Sequence, residues 1–546
     1  MGLQIYKLFS EIAIFAVLQN FTVRLRFKIL FMAVAPLLPA CGGSTAGHSV
    51  ADSVPPSDTL PLSAVREVAL PDTAFESLRP VRFDVIVADS SDDGRIGAAP
   101  DLYAACGGAL TFRRGPLRDA GFGGRLDSVP SSIEVDWRFI TAEDYSETDY
   151  GSWGGGTGWT GQPLLVQWPD SCLKKFARAG VGAVPRREII VGSLSGNVYF
   201  IDFDTGKASR RSIATGNPIK GTGSVDPLFN GNLYIGQGVK ARSQVKALVI
   251  DLYRGGITDS VGFDPRARRG WTAWDSSPLR VGRFLFWPGE NGILYKFSVG
   301  SGRLRLHSAL RYSVGGAYPG MEASMAVYRN YGYTADNAGN ILCVNLDTMH
   351  PVWRYKLPDD IDSTPVVVEE SGGVYLYTGS EVEHEGVENA VFVKLDALTG
   401  RPVWTASRPA MRFDIDGKHF DGGYYATALP GSGDCSHVIF NNVVLNADDS
   451  RNGAFVAFDR RTGKELYTVR LDYYAWSSPV GFIGPDNKQY VFVADCSGRC
   501  YLFSGIDGRL ICKKLIGHNF ESSPVVSGNH LVIGSRGNTI FKLSVK

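Results

Sequence analysis

The chain has almost no net charge and very little histidine, and both shortages exclude functions. Its 56 basic and 55 acidic residues leave a formal charge of +1. No global field therefore gathers nucleic acid, and no arginine-rich tract interleaved with aromatics supplies a local one. Only 8 histidines are present, none paired at ligand spacing, which argues against a zinc centre. There is no Cys-x-x-Cys-His run for haem attachment, and none of the 8 cysteines adjoins another. A block of glycine and proline is also missing: the 64 glycines and 28 prolines are scattered as punctuation, as many short strands with tight turns require.

What is present is a repeat. Around Val493 the chain reads Val-Ala-Asp-Cys-Ser-Gly-Arg-Cys-Tyr-Leu-Phe, then Ser504-Gly505-Ile506-Asp507-Gly508-Arg509, then Leu-Ile-Cys-Lys-Lys-Leu, then Ser522-Ser523-Pro524-Val525. Each apolar run is strand-length and closed by a glycine-bearing turn, so one unit is an antiparallel meander with an uncovered apolar face. Such units must stack, and a spacing of roughly 40 to 65 residues predicts a propeller. Entries of the Ser/Thr-Pro-apolar type recur before Leu164, Leu228, Leu279, Ala326, Val366, Leu429, Val480 and Val525, which makes eight. Small residues suit strands that converge on an axis, and proline is tolerated on an inner edge.

The fold expected is all-β: an eight-bladed β-propeller of four-stranded antiparallel blades over residues 134–546. The last repeat ends without a fourth strand, whereas Glu134 to Ile140 is a strand with no blade before it. Joining them closes the ring.

A second element lies between the entries. Lys394-Leu395-Asp396-Ala397-Leu398-Thr399-Gly400-Arg401-Pro402-Val403-Trp404 is its fullest copy, with partial copies at Asp204-Thr205-Gly206 and Arg461-Thr462-Gly463; Trp353 and Trp137 are further trailing tryptophans, and Tyr467 replaces one. Asp and Thr bond the turn backbone, Gly supplies positive φ, and the Trp packs toward the next blade. This looks like the tryptophan-docking motif of the PQQ-like, quinoprotein-type propellers. The stretch Phe112-Arg113-Arg114-Gly115, followed by Arg118-Asp119-Ala120-Gly121 and the Trp137 strand, resembles their N-terminal opening with one residue added. The resemblance covers residues 112–546 and extends to the propeller lipoproteins of the outer-membrane barrel-assembly machinery. It implies a scaffold that binds proteins. Quinone-dependent relatives typically carry an adjacent cysteine pair beside their cofactor, which this chain lacks, so no enzyme activity and no cofactor are expected.

The N-terminus predicts location. Arg24, Arg26 and Lys28 precede the apolar stretch Ile29 to Leu38 and then Leu38-Pro39-Ala40-Cys41. The pattern resembles a bacterial lipoprotein signal over residues 1–40, with Cys41 acylated. The apolar run is short of the ~20 residues that span a bilayer. Met1 to Thr22 sits awkwardly upstream, as if translation begins near Val23 or Leu25. Residues 41–80 read as a lipid-proximal tether rich in Ser, Thr, Pro and Ala, and 81–133 as an extension leading into the propeller.

In such a meander the D-to-A and B-to-C connections share one end of the blades. The long segments, among them Asp264 to Asp275 and Arg412 to Tyr425, fall there, and variable loops on a rigid scaffold are where binding usually lies. Candidate partner-binding residues at this end are Trp159, Trp271, Trp274, Tyr425, Tyr474, Trp476, Phe520, Arg266, Arg268 and Arg269. They form either a docking face for protein or an axial plug ringed by solvated charge. Cys496 and Cys500 flank a turn and are either a disulfide or two free thiols; Cys106 and Cys172 are the next pair to consider, and Cys343 and Cys512 read as core. Asp414, Asp416 and Asp421 lack the spacing and terminal Glu of a calcium loop. The expectation is a monomeric, non-enzymatic scaffold at the outer membrane, on its periplasmic side or on the cell surface, held by a lipid anchor and meeting envelope proteins. The alternatives are a carbohydrate- or ligand-binding surface propeller and a PQQ-dependent oxidoreductase.

Overall fold

The B and C strands of each repeat are apolar on both faces because each sheet is packed between two neighbours. Val438–Val444 is buried at every position, while the outer strand Glu465–Leu471 alternates between exposed and covered. The computed structural model describes residues 77–97, 101–148, 151–158, 161–300, 302–415, 418–447 and 450–546. Cys41, the signal and most of the tether lie outside them. Among the described residues no helix is long and apolar enough to cross a membrane.

Eight antiparallel sheets form the blades. Blade one spans 164–214, two 224–261, three 279–314, four 326–356, five 366–409, six 429–471 and seven 480–515. Blade eight takes Val525–Ser527, His530–Ser535 and Thr539–Val545 from the C-terminus and its outer strand, Ile133–Ile140, from the N-terminal side. Glu134 lies opposite Ser544 and Ile140 opposite Thr539. The ring closes as the unpaired N-terminal strand predicts.

Neighbouring blades are locked by the docking residues. The rings of Trp137, Trp353 and Trp404 cover Gly206, Gly400 and Gly463 of the following blade so closely that a Cβ there would lie 2.5–2.6 Å from ring carbon. Each glycine also has φ near +70°, so no other residue serves as well. Each indole N–H donates to a carbonyl of the following turn, those of Phe203, Ala397 and Arg460, at 2.9–3.0 Å. Tyr467 does the same work between blades six and seven: it covers Gly508, and its hydroxyl donates to the Gly505 carbonyl at 2.6 Å.

The residues ahead of the closing strand are woven through the ring. Val81–Val87 adds a fifth strand to the outer edge of blade three. Gly108–Ala109 then pairs with the innermost strand of blade one, and Phe122–Arg125 runs back parallel to that of blade seven. Between them, residues 110–121 turn inside the axial channel. Innermost-strand amides of Val225, Val327, Val367 and Gly481 donate to the carbonyls of Leu110, Pro116, Leu117 and Gly121. The inner edges, which would otherwise leave N–H groups unpaired, are satisfied by this plug.

Candidate functional site

The plug fixes which end of the propeller is open. Its apex brings three arginines into left-handed backbone, Arg113, Arg114 and Arg118 at φ 54°, 66° and 60°, a conformation that costs a non-glycine residue energy. The return comes from hydrogen bonds. The Arg118 side chain is fully buried and donates to the carbonyls of Met325 at 2.9 Å, Phe112 at 2.7 Å and Ser277 at 3.2 Å, and to Thr111 Oγ1 at 3.0 Å. Arg113 Nη2 reaches the Thr427 and Pro479 carbonyls at 3.1 and 2.9 Å, and Arg114 Nη2 reaches Val526. Burial pulls the Arg118 guanidinium down to about 10 and that of Arg113 to about 9, so both stay charged at neutral pH. The doublet that departs from the family opening is therefore a pair of channel anchors directed at blades on different sides of the axis.

At the mouth above the apex, the polarity reverses. Asp275, Glu290 and Glu322 have carboxylate oxygens within 4.8 Å of one another, and Asp362 shares with Asp275, Glu322 and Phe112 a cavity of about 20 Å³. Among the described residues one cation serves them: the Lys220 ammonium contacts Asp275 and lies 3.5 Å from Glu322. Burial, only partly opposed by Lys220, pushes Asp275 up to about 6. Burial and the neighbouring carboxylates hold Glu290 and Asp362 well above the usual carboxylate range. Burial opposes the charge on Lys220, but its acidic neighbours outweigh that and hold its pKa above the ordinary lysine value. Asp275 Oδ1, Glu290 Oε1 and Asp362 Oδ1 are buried without a hydrogen-bond partner.

Around this filled centre three concavities open, all on the end carrying the long loops. One of about 790 Å³ lies between the 384–389 loop and the 409–412 segment. A second, of about 480 Å³, lies between Arg269, Tyr318 and His384. The third, of about 650 Å³, is an aromatic cup over blades six to eight lined by Trp153, Tyr425, Tyr474 and Trp476. Exposed apolar side chains stand at this end: Met411 lines the first concavity and Tyr318 the second, and Phe263 and Arg268 are exposed in the long loop that leads to blade three.

The structure distributes the predicted residues unevenly. Tyr425 and Tyr474 are each 5% exposed, yet with the half-buried Trp476 they wall the cup. Trp271 is half-buried, and its indole N–H donates to Glu290 Oε2, tying it to the acidic mouth. Arg266 is engaged by Asp264 through two bonds of 2.7 Å, and the Arg269 guanidinium packs against Gly320. Trp159 lies outside the described residues. Two expectations need correction: Trp274, 1% exposed, packs between Trp287 and Tyr295, and Phe520, fully buried, packs edge-on against Phe541. Both face the blades because the segment before strand A turns inward as it reaches the axis, and neither is placed to meet a partner. Nor do these aromatics plug the channel, which residues 110–121 occupy.

The disulfide alternative is also corrected, since Cys496 and Cys500 are both free and buried. Cys496 packs with Tyr425, Val444 and Tyr474 above the turn, whereas Cys500 enters the core between blades seven and eight. Cys106 and Cys172 are likewise free; Cys343 is buried core, and Cys512 packs at a core edge. The sequence reading missed the channel arginines and the acidic mouth. The signal for the first was the Arg113-Arg114 doublet; that for the second was the acidic residue that opens three strand-A entries, Asp275-Ser276-Ser277-Pro278, Glu322-Ala323-Ser324-Met325 and Asp362-Ser363-Thr364-Pro365, with Glu290 joining from outside the pattern.

Comparison with known proteins agrees with this architecture. Residues 260–417, which include blades three to five, match the model of the family described as outer membrane protein assembly factor BamB. No curated protein matches the chain. Among solved structures, quinohemoprotein alcohol dehydrogenase from Comamonas testosteroni is similar over 80% of this chain and 80% of its own at 12% identity, with a TM-score of 0.56. A europium-containing methanol dehydrogenase is similar over 81% of this chain and 99% of its own, also at 12% identity, with a TM-score of 0.54. BamB from Moraxella catarrhalis is 17% identical over 65% of this chain and 93% of its own, with a TM-score of 0.45. With its docked tryptophans and closing N-terminal strand, the chain is an eight-bladed β-propeller, and its residues 260–417 are similar to the BamB family.

Proposed function

We propose that the protein is a non-enzymatic scaffold of the bacterial outer membrane, lipid-anchored at Cys41, that docks envelope proteins on the loop-bearing end of its propeller. The observation that carries this reading is the contrast at that end: the axial mouth is a water-sized space, while three open concavities of hundreds of cubic ångströms surround it. Exposed apolar side chains set among arginines are the composition of protein-binding patches, and Phe263, Tyr318, Met411 and Arg268 supply it. The partial match to the outer-membrane assembly family supports a role among envelope proteins.

The same mouth argues against a quinone enzyme. A planar, tricarboxylated pyrroloquinoline quinone does not fit a space of about 20 Å³ bounded by Phe112. Its carboxylates would also face Asp275, Glu322 and Asp362 with, among the described residues, Lys220 alone to offset them.

The test is a cross-linked pull-down from intact envelopes, comparing the native lipoprotein with a Phe263→Ser, Tyr318→Ser, Met411→Ser variant of matched thermal stability. Envelope proteins captured by the native form and lost with the variant support the reading; identical profiles contradict it. Cys41→Ser is expected to abolish palmitate labelling and release the protein from the membrane fraction.

A further inference from the structure

The aromatic cup differs in kind from the protein-docking rim, and we propose that it is a binding site for a short neutral oligosaccharide. Its volume, about 650 Å³, falls in the range of small-molecule sites, roughly 300–1,000 Å³, and accommodates a few pyranose rings.

Shape and charge narrow the ligand class. The Tyr425 and Trp476 rings lie 5.0 Å apart at 32°, and Tyr474 meets Trp476 at 62°. This is a bent platform, not a parallel slot; it suits the puckered, C–H-bearing face of a sugar better than a flat heteroaromatic. Trp153 stands on another wall under the Arg536 guanidinium, 5.3 Å from its ring. The charges lining the cup balance, two arginines, Arg451 and Arg536, against two carboxylates, Asp421 and Glu521: Arg536 pairs with Glu521 at 3.3 Å, and the Arg451 guanidinium is stacked 3.7 Å over Phe420 and 4.1 Å over Tyr474. No net field selects an anion or a cation.

The polar groups are planar and carry donors and acceptors side by side, the arrangement that meets vicinal hydroxyls. Asn519 donates to Glu521 at 2.8 Å, while its own Oδ1 is buried and lacks a partner; Arg451 Nε, a donor, lacks one too. A ligand whose every polar group both donates and accepts satisfies such a mixture, whereas an acidic, basic or purely apolar ligand leaves part of it unmet. None of this depends on protein docking, which uses a different sector of the same end.

The experiment is calorimetric titration of the full propeller with maltotriose, cellotriose, laminaritriose and triacetylchitotriose, alongside intrinsic tryptophan fluorescence. Saturable binding of at least one probe is expected, with a fluorescence change, and weakened about tenfold or more by Trp476→Ala and by Trp153→Ala. Glu521→Gln, a change at the cup that keeps its shape, is expected to weaken the same probe should either tryptophan variant fail to fold. Leu228→Ser, on the opposite end of the propeller, is expected to bind like the native protein. No saturable binding by any of the four probes, or binding unchanged in every folded cup variant, overturns the proposal. Loss of the pull-down partners with sugar binding intact, or the converse, separates it from the scaffold reading.

Discussion

The lower channel and its mouth are walled by the same innermost strands, yet one is filled with cations and the other with anions. Below, Arg113, Arg114 and Arg118 donate to backbone carbonyls of several blades. Above, carboxylates from successive inter-blade loops crowd one another around Lys220. An axis built from strand edges is rich in unpaired backbone groups, and the chain satisfies the lower part with its own N-terminal segment. Among the described residues the mouth receives no such segment, and its excess charge is offset by one lysine and by raised carboxylate pKa values. Backbone satisfaction below and carboxylate crowding above are thus separated along one axis.

Four substitutions sharpen that contrast. Arg118→Ala leaves several buried carbonyls without donors and opens a void at the plug apex; a loss of about 5 kcal/mol in urea denaturation is expected. Little change there would mean that the plug is ornamental. Trp353→Ala removes a fully buried ring and its bond to the Ala397 carbonyl, and about 4 kcal/mol should be lost by the same measurement.

Asp362→Asn has the opposite sign. A buried carboxyl whose folded pKa is raised above its unfolded value contributes stability that is complete below about pH 4 and declines as pH rises through the folded value. The asparagine therefore raises the urea midpoint at pH 7.5 and changes it little near pH 4. A destabilised variant at pH 7.5 would show that the mouth is not overloaded with negative charge. The smallest effect expected is that of Tyr467→Phe, about 1 kcal/mol for the lost bond to Gly505, checked by thermal melting.

Most of the fold was legible because it repeats. The strand-A entries, the Gly-bearing turns and the unpaired strand at Glu134 are local patterns, and local patterns fix blade count and closure. The entry expected before Leu228 is nevertheless misplaced: strand A of blade two is Ser224–Val225, and Pro227-Leu228 belong to the turn after it, where Leu228 is exposed. Even the degenerate docking position holds, since Tyr467 keeps a flat ring and a donor. The plug was not legible: residues 110–121 have no periodicity, and their partners lie as far away as Pro479 and Val526. Burial of single aromatics follows a register that is easy to overlook: Trp274 and Phe520 stand four residues before the strand-A proline and are buried, whereas Trp476 stands three before it, the position Asp275 holds, and lines the cup. The Cys496 and Cys500 pair was ambiguous for a related reason. A turn places two residues near each other without saying that their side chains enter different cores.

The central claim, that partners meet the loop-bearing end and not the end through which the plug enters, is tested most directly by site-specific photo-cross-linking in intact envelopes. A photoreactive phenylalanine analogue would be placed singly at Phe263, Tyr318 and Met411 on one end and at Leu228 and Ile506 on the other, all of them exposed. The account predicts discrete protein adducts from the first three positions and none from the last two. Adducts from Leu228 or Ile506 with none from the loop-bearing end would contradict it.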